Sequence, residues 1–417
     1  MSHSVFKKDI SYSIQVLLVS ISSLVLAPKL VGLNVSLSLF AAGMATLIYH
    51  LLTNNKIPIF LGPSLYFIMS GKYIIDRYGI SSFFGAMLTC SVIYVLFALF
   101  FPKDKEKLEK YFPVCIITTI LLLIGLSLSN ISLKSMLSFR SNGIFNHRSF
   151  TVSIITVITM IYFSYFSKPK TRPFSILIAV FVGTLFSIFF NLIDFSILKE
   201  ASWVVIPWTE AVSENKYKLP TFSLNAVLIL LPVYVLVAME HISTLYALSK
   251  ARNSDYFFGE YGIKRSYIGM FGANVIASLF GTTPVVMYIE VVNVMDTDNY
   301  TPVVLSVAGI LLIFISMFGK IVALLSLIPD PVIASIAFVL FMRMSVFGIK
   351  YLLLDSKVEY LKNLLLVVLI LFINIGGMHF TTLKGGIMIN SLSLSLLLSL
   401  ILNFILINTK ICKIILK

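Results

Sequence analysis

Charge is what this 417-residue chain has least of. Only 12% of its residues are charged and 58% are apolar, whereas soluble domains carry about 25% charged residues and roughly 45–50% apolar ones. Acid is scarcer than base, 18 Asp and Glu against 32 Lys and Arg. A mean hydropathy of +0.98 belongs to a chain solvated mainly by lipid, which excludes a soluble enzyme, a nucleic-acid-binding module and a disordered chain. The net charge of +14 does not revive nucleic acid as a partner. The basic residues fall in short connectors such as Lys103, Lys105, Lys107 and Lys110, or Lys168, Lys170 and Arg172, and a nucleic-acid stripe needs one continuous face. Cysteine is scarce too. Cys90, Cys115 and Cys412 form no disulfide framework and read as small core residues. Metal-ligand spacing, a Walker loop and a nucleophile elbow are all missing, which excludes a self-contained ATP-driven pump. There is no Pro/Ser-rich linker and no soluble domain.

What is present is a succession of long apolar runs. A span needs about 20 largely apolar residues. Clear candidates are 11–28, 33–53, 81–101, 112–133, 150–167, 173–195, 222–249, 301–319, 330–348, 361–380 and 385–408, with shorter or interrupted ones at 58–76, 267–281 and 282–296. The first run reads as a span, not as a removable signal peptide. The total is about fourteen, an even number, which puts both termini on one side. With the N-terminus inside, about 21 Lys and Arg fall on the inner side against about 11 on the other, so the positive-inside bias makes both termini cytoplasmic. Trp203 and Trp208 then fit an outer interfacial position.

The longest polar stretch, about 196–221, divides the chain into two halves of seven spans. An odd number per half makes the halves inverted repeats, the arrangement of many secondary transporters. Matching interruptions support this. Pro58, Gly62 and Pro63 break the third span, and Gly281 and Pro284 break the third span of the second half; the two glycines are 281 − 62 = 219 residues apart. Proline has no N–H and clashes with the preceding turn, so each of these spans is expected to be non-helical first and helical afterwards. The alternative is a pair of ordinary proline kinks. Unwound backbone at membrane depth survives only where protein or a wet cavity satisfies it, and a matched pair of broken spans points to a midplane binding site. The helix N-termini expected at Ser64 and Val285 would offer N–H donors to ligand oxygens.

Ionisable groups at membrane depth are functional by default. Glu240 follows the apolar run Leu228–Met239 and shares a helix face with Thr244 at i, i+4; the alternative is a span-end acid paired with a loop lysine. Glu290 comes six residues after Pro284, where the dipole of a starting helix also favours an acid. Together the two carboxyls accept hydrogen bonds from ligand N–H groups and take up protons when burial disfavours their charge. Acceptors beside donors suit a small planar polar solute better than an inorganic ion.

These residues resemble the nucleobase–ascorbate transporter family, also called nucleobase:cation symporter-2. The likeness runs almost end to end, through Lys56-Ile57-Pro58 to Phe67, Glu240-His241-Ile242, Gly281-Thr282-Thr283-Pro284 to Glu290, and Ser356-Lys357-Val358-Glu359-Tyr360. It implies an all-α polytopic membrane protein of fourteen spans, two inverted sevens, whose broken third and tenth spans pair as short antiparallel strands. The core domain would comprise residues 1–110 and 222–325, the gate domain 111–221 and 326–417. It further implies a nucleobase substrate, uracil or a purine such as xanthine, no cofactor beyond a coupling proton or sodium ion, a homodimer through the gate domain, and residence in a bacterial inner membrane. Carried over by position, Glu240 and Glu290 would bind the base edge, the backbone at Leu65, Tyr288 and Ile289 would contact it, and Tyr66 and Phe67 lie nearby. Glu240, His241 and Thr244 would serve coupling. The chain departs from the family pattern where Gln15-Val16 stands for Gln-His, Thr244 for a histidine one turn beyond the glutamate, Ile289 for the glycine before Glu290, and Val285-Val286-Met287 for Asn-Thr-Thr. These departures leave an anion transporter of the same fold, or a non-transporting member, as alternatives.

Overall fold

A computed structural model describes residues 3–100, 114–137, 146–168, 171–252, 254, 256, 262–288, 291, 301–354, 360–375, 380–381, 388–389, 394, 398–399 and 401–405. Apolar runs become helices where caps bound them. Asn34 accepts from the Leu37 amide at 2.8 Å and opens α2, Val35–Leu52, behind α1, His3–Val31. The third expected span is not helical until late: β1, Leu61–Pro63, precedes a 3₁₀ turn at Leu65–Phe67 and then α3, Ile68–Tyr78. The fourth is two helices, α4, Ile80–Cys90, and α5, Val92–Phe100, joined at Ser91, whose hydroxyl donates back to the Leu88 carbonyl.

After these come α6, Val114–Leu137, α7, His147–Ile161, continued by a π turn at Tyr162–Phe166, and α8, Ser175–Phe189. The polar stretch holds two short helices, α9, Ser196–Glu200, and α10, Pro207–Ser213. The second half runs α11, Leu224–Ala251; α12, Ile263–Leu279; β2, Val285–Met287; α13, Pro302–Met317; α14, Gly319–Ser326; α15, Asp330–Leu354; and α16, Tyr360–Ile375. Strands β3, Phe380–Thr381, and β4, Met388–Ile389, pair antiparallel.

The expected span 301–319 is helix α13, after which α14 turns away at 94°. Two expectations need correction. Val285 opens a strand, not a helix. The expected span 361–380 is helix α16 as far as Ile375 and has the first residue of β3 at Phe380, and the expected span 385–408 contains β4. Among the described residues, six helices are long and apolar enough to cross a membrane, or seven if the bent pair counts as one span.

The helices sort into two packed groups. In the first, α1, α3, α4, α5, α11, α12 and α13 gather around one another and α2. In the second, α6, α7 and α8 pack around α15, and α16 packs against α6. Small residues let the tightest pairs close: a side chain at Gly43 would strike the Gly309 backbone between α2 and α13, and one at Gly348 would strike α6 at Thr118 and Leu122. Helices α1 and α11 line the seam. Val233, Tyr234 and Val237 of α11 enter the first cluster, Leu236 and Met239 the second. Outward faces are apolar, with Phe166, Phe181, Phe189, Phe372 and Phe404 exposed, as lipid contact requires.

The segment 196–221 is tied to the first group. The Val205 amide donates to the Met317 carbonyl, Tyr217 to the Leu279 carbonyl at 2.7 Å, and the Thr221 amide to the Ser81 carbonyl. Trp203 is exposed, and Trp208 meets Phe40 edge-on at 5.8 Å.

Candidate functional site

The two broken spans meet. β1 and β2 pair antiparallel with Leu61 opposite Met287, Gly62 opposite Val286 and Pro63 opposite Val285. The ladder extends at both ends, where the Ser64 amide donates to the Pro284 carbonyl at 2.8 Å and the Tyr288 amide to the Phe60 carbonyl at 3.2 Å. A two-stranded ribbon leaves an outer edge on each strand, and a polar side chain from the preceding helix covers part of each. Thr46 of α2 both receives from the Leu61 amide and donates to its carbonyl, each at 3.2 Å. Asn274 of α12 does the same for Val285, each at 3.1 Å. Unwound backbone in an apolar surround is thus satisfied by its own fold. Gly281, at φ 76°, makes the turn from α12 into β2 in a region that favours glycine.

Beyond β1 the chain turns helical. The Ser64 hydroxyl accepts from the Tyr66 amide at 3.3 Å and caps the 3₁₀ turn. Leu65 and Tyr66 are half-buried against the second cluster, so they stand at the seam between the two groups. Phe67 is fully buried instead, its ring 5.1 Å from that of Tyr234. Tyr288 lies over Gly62, where any Cβ would run into its ring, and its hydroxyl donates to the Pro63 carbonyl at 3.0 Å. Ile289 and Glu290 lie outside the described residues.

Helix α11, which carries Glu240, packs against both the 3₁₀ turn and β2. Glu240 is 8% exposed and is the only buried acid, lysine or arginine among the described residues. Thr244 occupies the same face, its hydroxyl 3.4 Å from Glu240 Oε1 and 3.1 Å from the Glu240 carbonyl oxygen. His241 points elsewhere. Its Nε2 is 2.7 Å from the Ser266 hydroxyl, which is 2.6 Å from the Tyr49 hydroxyl, and its ring lies 5.2 Å from that of Tyr267. It is therefore built into the α2–α11–α12 interface, away from the face that Glu240 and Thr244 share.

The arrangement sets a helix that carries a buried acceptor group against the N-terminal turn of a half-helix, where backbone N–H groups favour ligand oxygens. Among the described residues no group of three or more His, Cys, Asp and Glu could hold a metal ion. Thr46, Asn274, Tyr94 and Tyr234 were not singled out by sequence reasoning. Asn274 carried a signal, a polar amide in an apolar run; the tyrosines in apolar runs carried none that separates site from core.

Residues 7–383 match the model of the permease family. The chain is 30% identical over 402 residues to a probable uracil permease of Pasteurella multocida, covering 96% of this chain and 94% of that protein. It is 28% identical over 404 residues to a uracil permease of Bacillus subtilis, covering 95% and 92%. Among solved structures it superposes on the transmembrane domain of BicA, a cyanobacterium bicarbonate transporter, with a TM-score of 0.66 at 17% identity over 97% of this chain and 98% of that one. The murine Slc26a9 anion transporter in its inward-facing state gives 0.67 at 12% identity, over 98% of this chain and 69% of that one. At such identities the likeness is one of fold. The match over most of the length, with relatives that are permeases throughout, carries the conclusion: the chain belongs to the permease family, the nucleobase:cation symporter-2 group, and is a multi-pass membrane transporter, not an enzyme.

Proposed function

We propose that the chain is a secondary active transporter that carries uracil, or a related nucleobase, into the cell together with a proton. The observation that supports this reading most is Glu240, the only buried acid, lysine or arginine among the described residues, on a helix that packs against two paired broken spans. A carboxyl accepts from the N–H groups of a base edge, and a buried one is suited to gain and lose a proton. In this reading the first helix group is the core domain that holds the substrate and the second is the gate against which it moves, in fourteen spans of two inverted sevens, with both termini cytoplasmic, in an inner membrane and as a homodimer through the gate. Leu65, Tyr66, Tyr288, Ile289 and Glu290 complete the substrate site, and Phe67 supports it from the core. Sodium in place of the proton is the alternative coupling ion.

Radiolabelled uracil uptake into proteoliposomes under an inward proton gradient tests the reading. Uptake that an uncoupler collapses, that unlabelled uracil but not xanthine blocks, and that Glu240→Gln lowers at least about 100-fold, the scale of losing a charge-assisted contact, is the expected result. Uptake unchanged in Glu240→Gln overturns the site. A second reading, transport of an anion, is favoured by the fold shared with a bicarbonate and an anion transporter. Buried negative charge at Glu240 opposes it, and competition by bicarbonate but not by bases is the result that would establish it.

A further inference from the structure

Two connections carry the chain between the helix groups at the end of the seam where Lys29 meets Asp330. One leaves α8 of the second group, passes through α9 and enters α10, which packs on α2 of the first. The other leaves α14, which packs on α13 and α2 of the first group, and enters α15 of the second. On the first-group side the two connections are bound to each other. The Val205 amide donates to the Met317 carbonyl at 2.9 Å. Gly319 lies under the Ser202 carbonyl, which a Cβ there would meet at 2.5 Å. Lys320 Nζ donates to the Leu198 carbonyl at 2.5 Å and to the Lys199 carbonyl at 3.3 Å.

Lys320 stands against local preference. It is the second residue of α14, where the helix dipole disfavours a cation. The last carbonyls of a helix have no partner within it, and Leu198 and Lys199 lie in the closing turn of α9. The ammonium thus serves α9 from a position unfavourable to α14. That exchange is of use in joining the two connections, not in stabilising the helix that carries the lysine.

We propose that these contacts are a clasp, with Lys320 as its latch, that makes the two connections one pivot and limits how far the groups separate at this end. Between the clasp and the second group lie only short lengths of chain, 190–195 in one connection and 327–329 in the other. Three residues reach at most about 10 Å. Opening the clasp lets α14 follow α15 and lengthens that tether. With the clasp shut, the groups turn about a fixed end and their displacement is greatest at the opposite end. This inference rests on the two groups moving against each other, as proposed above, and on no particular substrate.

The test uses the full chain in proteoliposomes, with Cys90, Cys115 and Cys412 replaced by alanine and spin labels placed in pairs. One pair, Arg148→Cys with Lys218→Cys, spans the groups at the clasp end, where Ser153 of α7 donates to the Pro331 carbonyl and Tyr217 to the Leu279 carbonyl. The other, Lys168→Cys with Lys264→Cys, spans them at the opposite ends of α7 and α12. In the parent the distance distribution of the first pair is expected to be narrower than that of the second. Lys320→Met and Gly319→Ala are expected to broaden the first by several ångströms, and Lys320→Arg, which keeps a donor, to leave it as in the parent. Thermal midpoints are measured in parallel. A Lys320→Met protein with a lowered midpoint and an unchanged first pair overturns the proposal, because Lys320 then serves stability alone. A parent whose first pair is as broad as its second overturns the pivot. If the distances behave as expected but the parent takes up no uracil, the clasp stands and the substrate reading falls.

Discussion

Single residues in this protein are held by what their neighbours leave no room for. Gly62 sits under the Tyr288 ring, whose hydroxyl reaches the Pro63 carbonyl. Gly62→Ala displaces that ring, and a thermal melt is expected to show a loss of about 1–3 kcal/mol, the scale of overpacking, with uptake abolished. Tyr288→Phe loses only the hydrogen bond, about 1 kcal/mol. Glu210, outside the spans, is a different case. Burial pushes its carboxyl above the usual glutamate range, the Asn34 amide opposes that shift, and the Glu214 charge adds to it. A carboxyl so raised contributes stability below its unfolded pKa, and that contribution is lost as pH rises through the folded value. At neutral pH the charged form therefore opposes docking of the 196–221 segment. Glu210→Gln is expected to raise the thermal midpoint at neutral pH, by a few tenths of a kcal/mol for a group this exposed. The gain disappears as pH falls below about 4.3.

Among the elements, the strand pair matters most. β1 and β2 contribute three residues each, too few to be stable alone, and they persist because Thr46 and Asn274 close their outer edges and Thr283 donates to the Ser64 carbonyl at 3.4 Å. Asn274→Leu leaves the Val285 amide and carbonyl without that partner. A fall of about 1–3 kcal/mol for each stranded group is expected in thermal unfolding, with uptake lost even though Glu240 is untouched. Thr46→Val, which keeps the shape of the side chain, does the same to Leu61. The break itself was legible in Pro58, Gly62, Pro63, Gly281 and Pro284, because proline and glycine act locally. That Val285 would be strand and not helix start was not legible, since the pairing joins segments more than 200 residues apart. The 94° turn after Met317 was equally hidden: Phe318-Gly319 reads like any glycine in a span, and only the fold shows the Ser202 carbonyl packed where a Cβ at Gly319 would sit.

At the scale of the whole molecule, two helix groups meet along α1 and α11, and Lys29 of α1 bridges to Asp330 of α15 at 2.6 Å. It is the one ion pair that joins the groups among the described residues. The pair is partly exposed, so it is worth under about 1 kcal/mol, enough to bias two arrangements of the groups by up to roughly five-fold. Lys29→Glu is expected to change the uptake rate, the double variant Lys29→Glu with Asp330→Lys to restore it, and high salt to narrow the difference. The sequence by itself determined the solvent and the broken spans and singled out Glu240 as a charge within an apolar run, because hydropathy, proline geometry and the cost of a buried charge are properties of single residues and their neighbours in the chain. Only the tertiary structure decided that His241 is tied to Ser266, and through it to Tyr49, away from the face that Glu240 and Thr244 share. It also decided that Phe67 belongs to the core, its ring against that of Tyr234. Which way a side chain points within a helix is set by what packs around it, and here those partners come from helices on both sides of the midpoint of the chain.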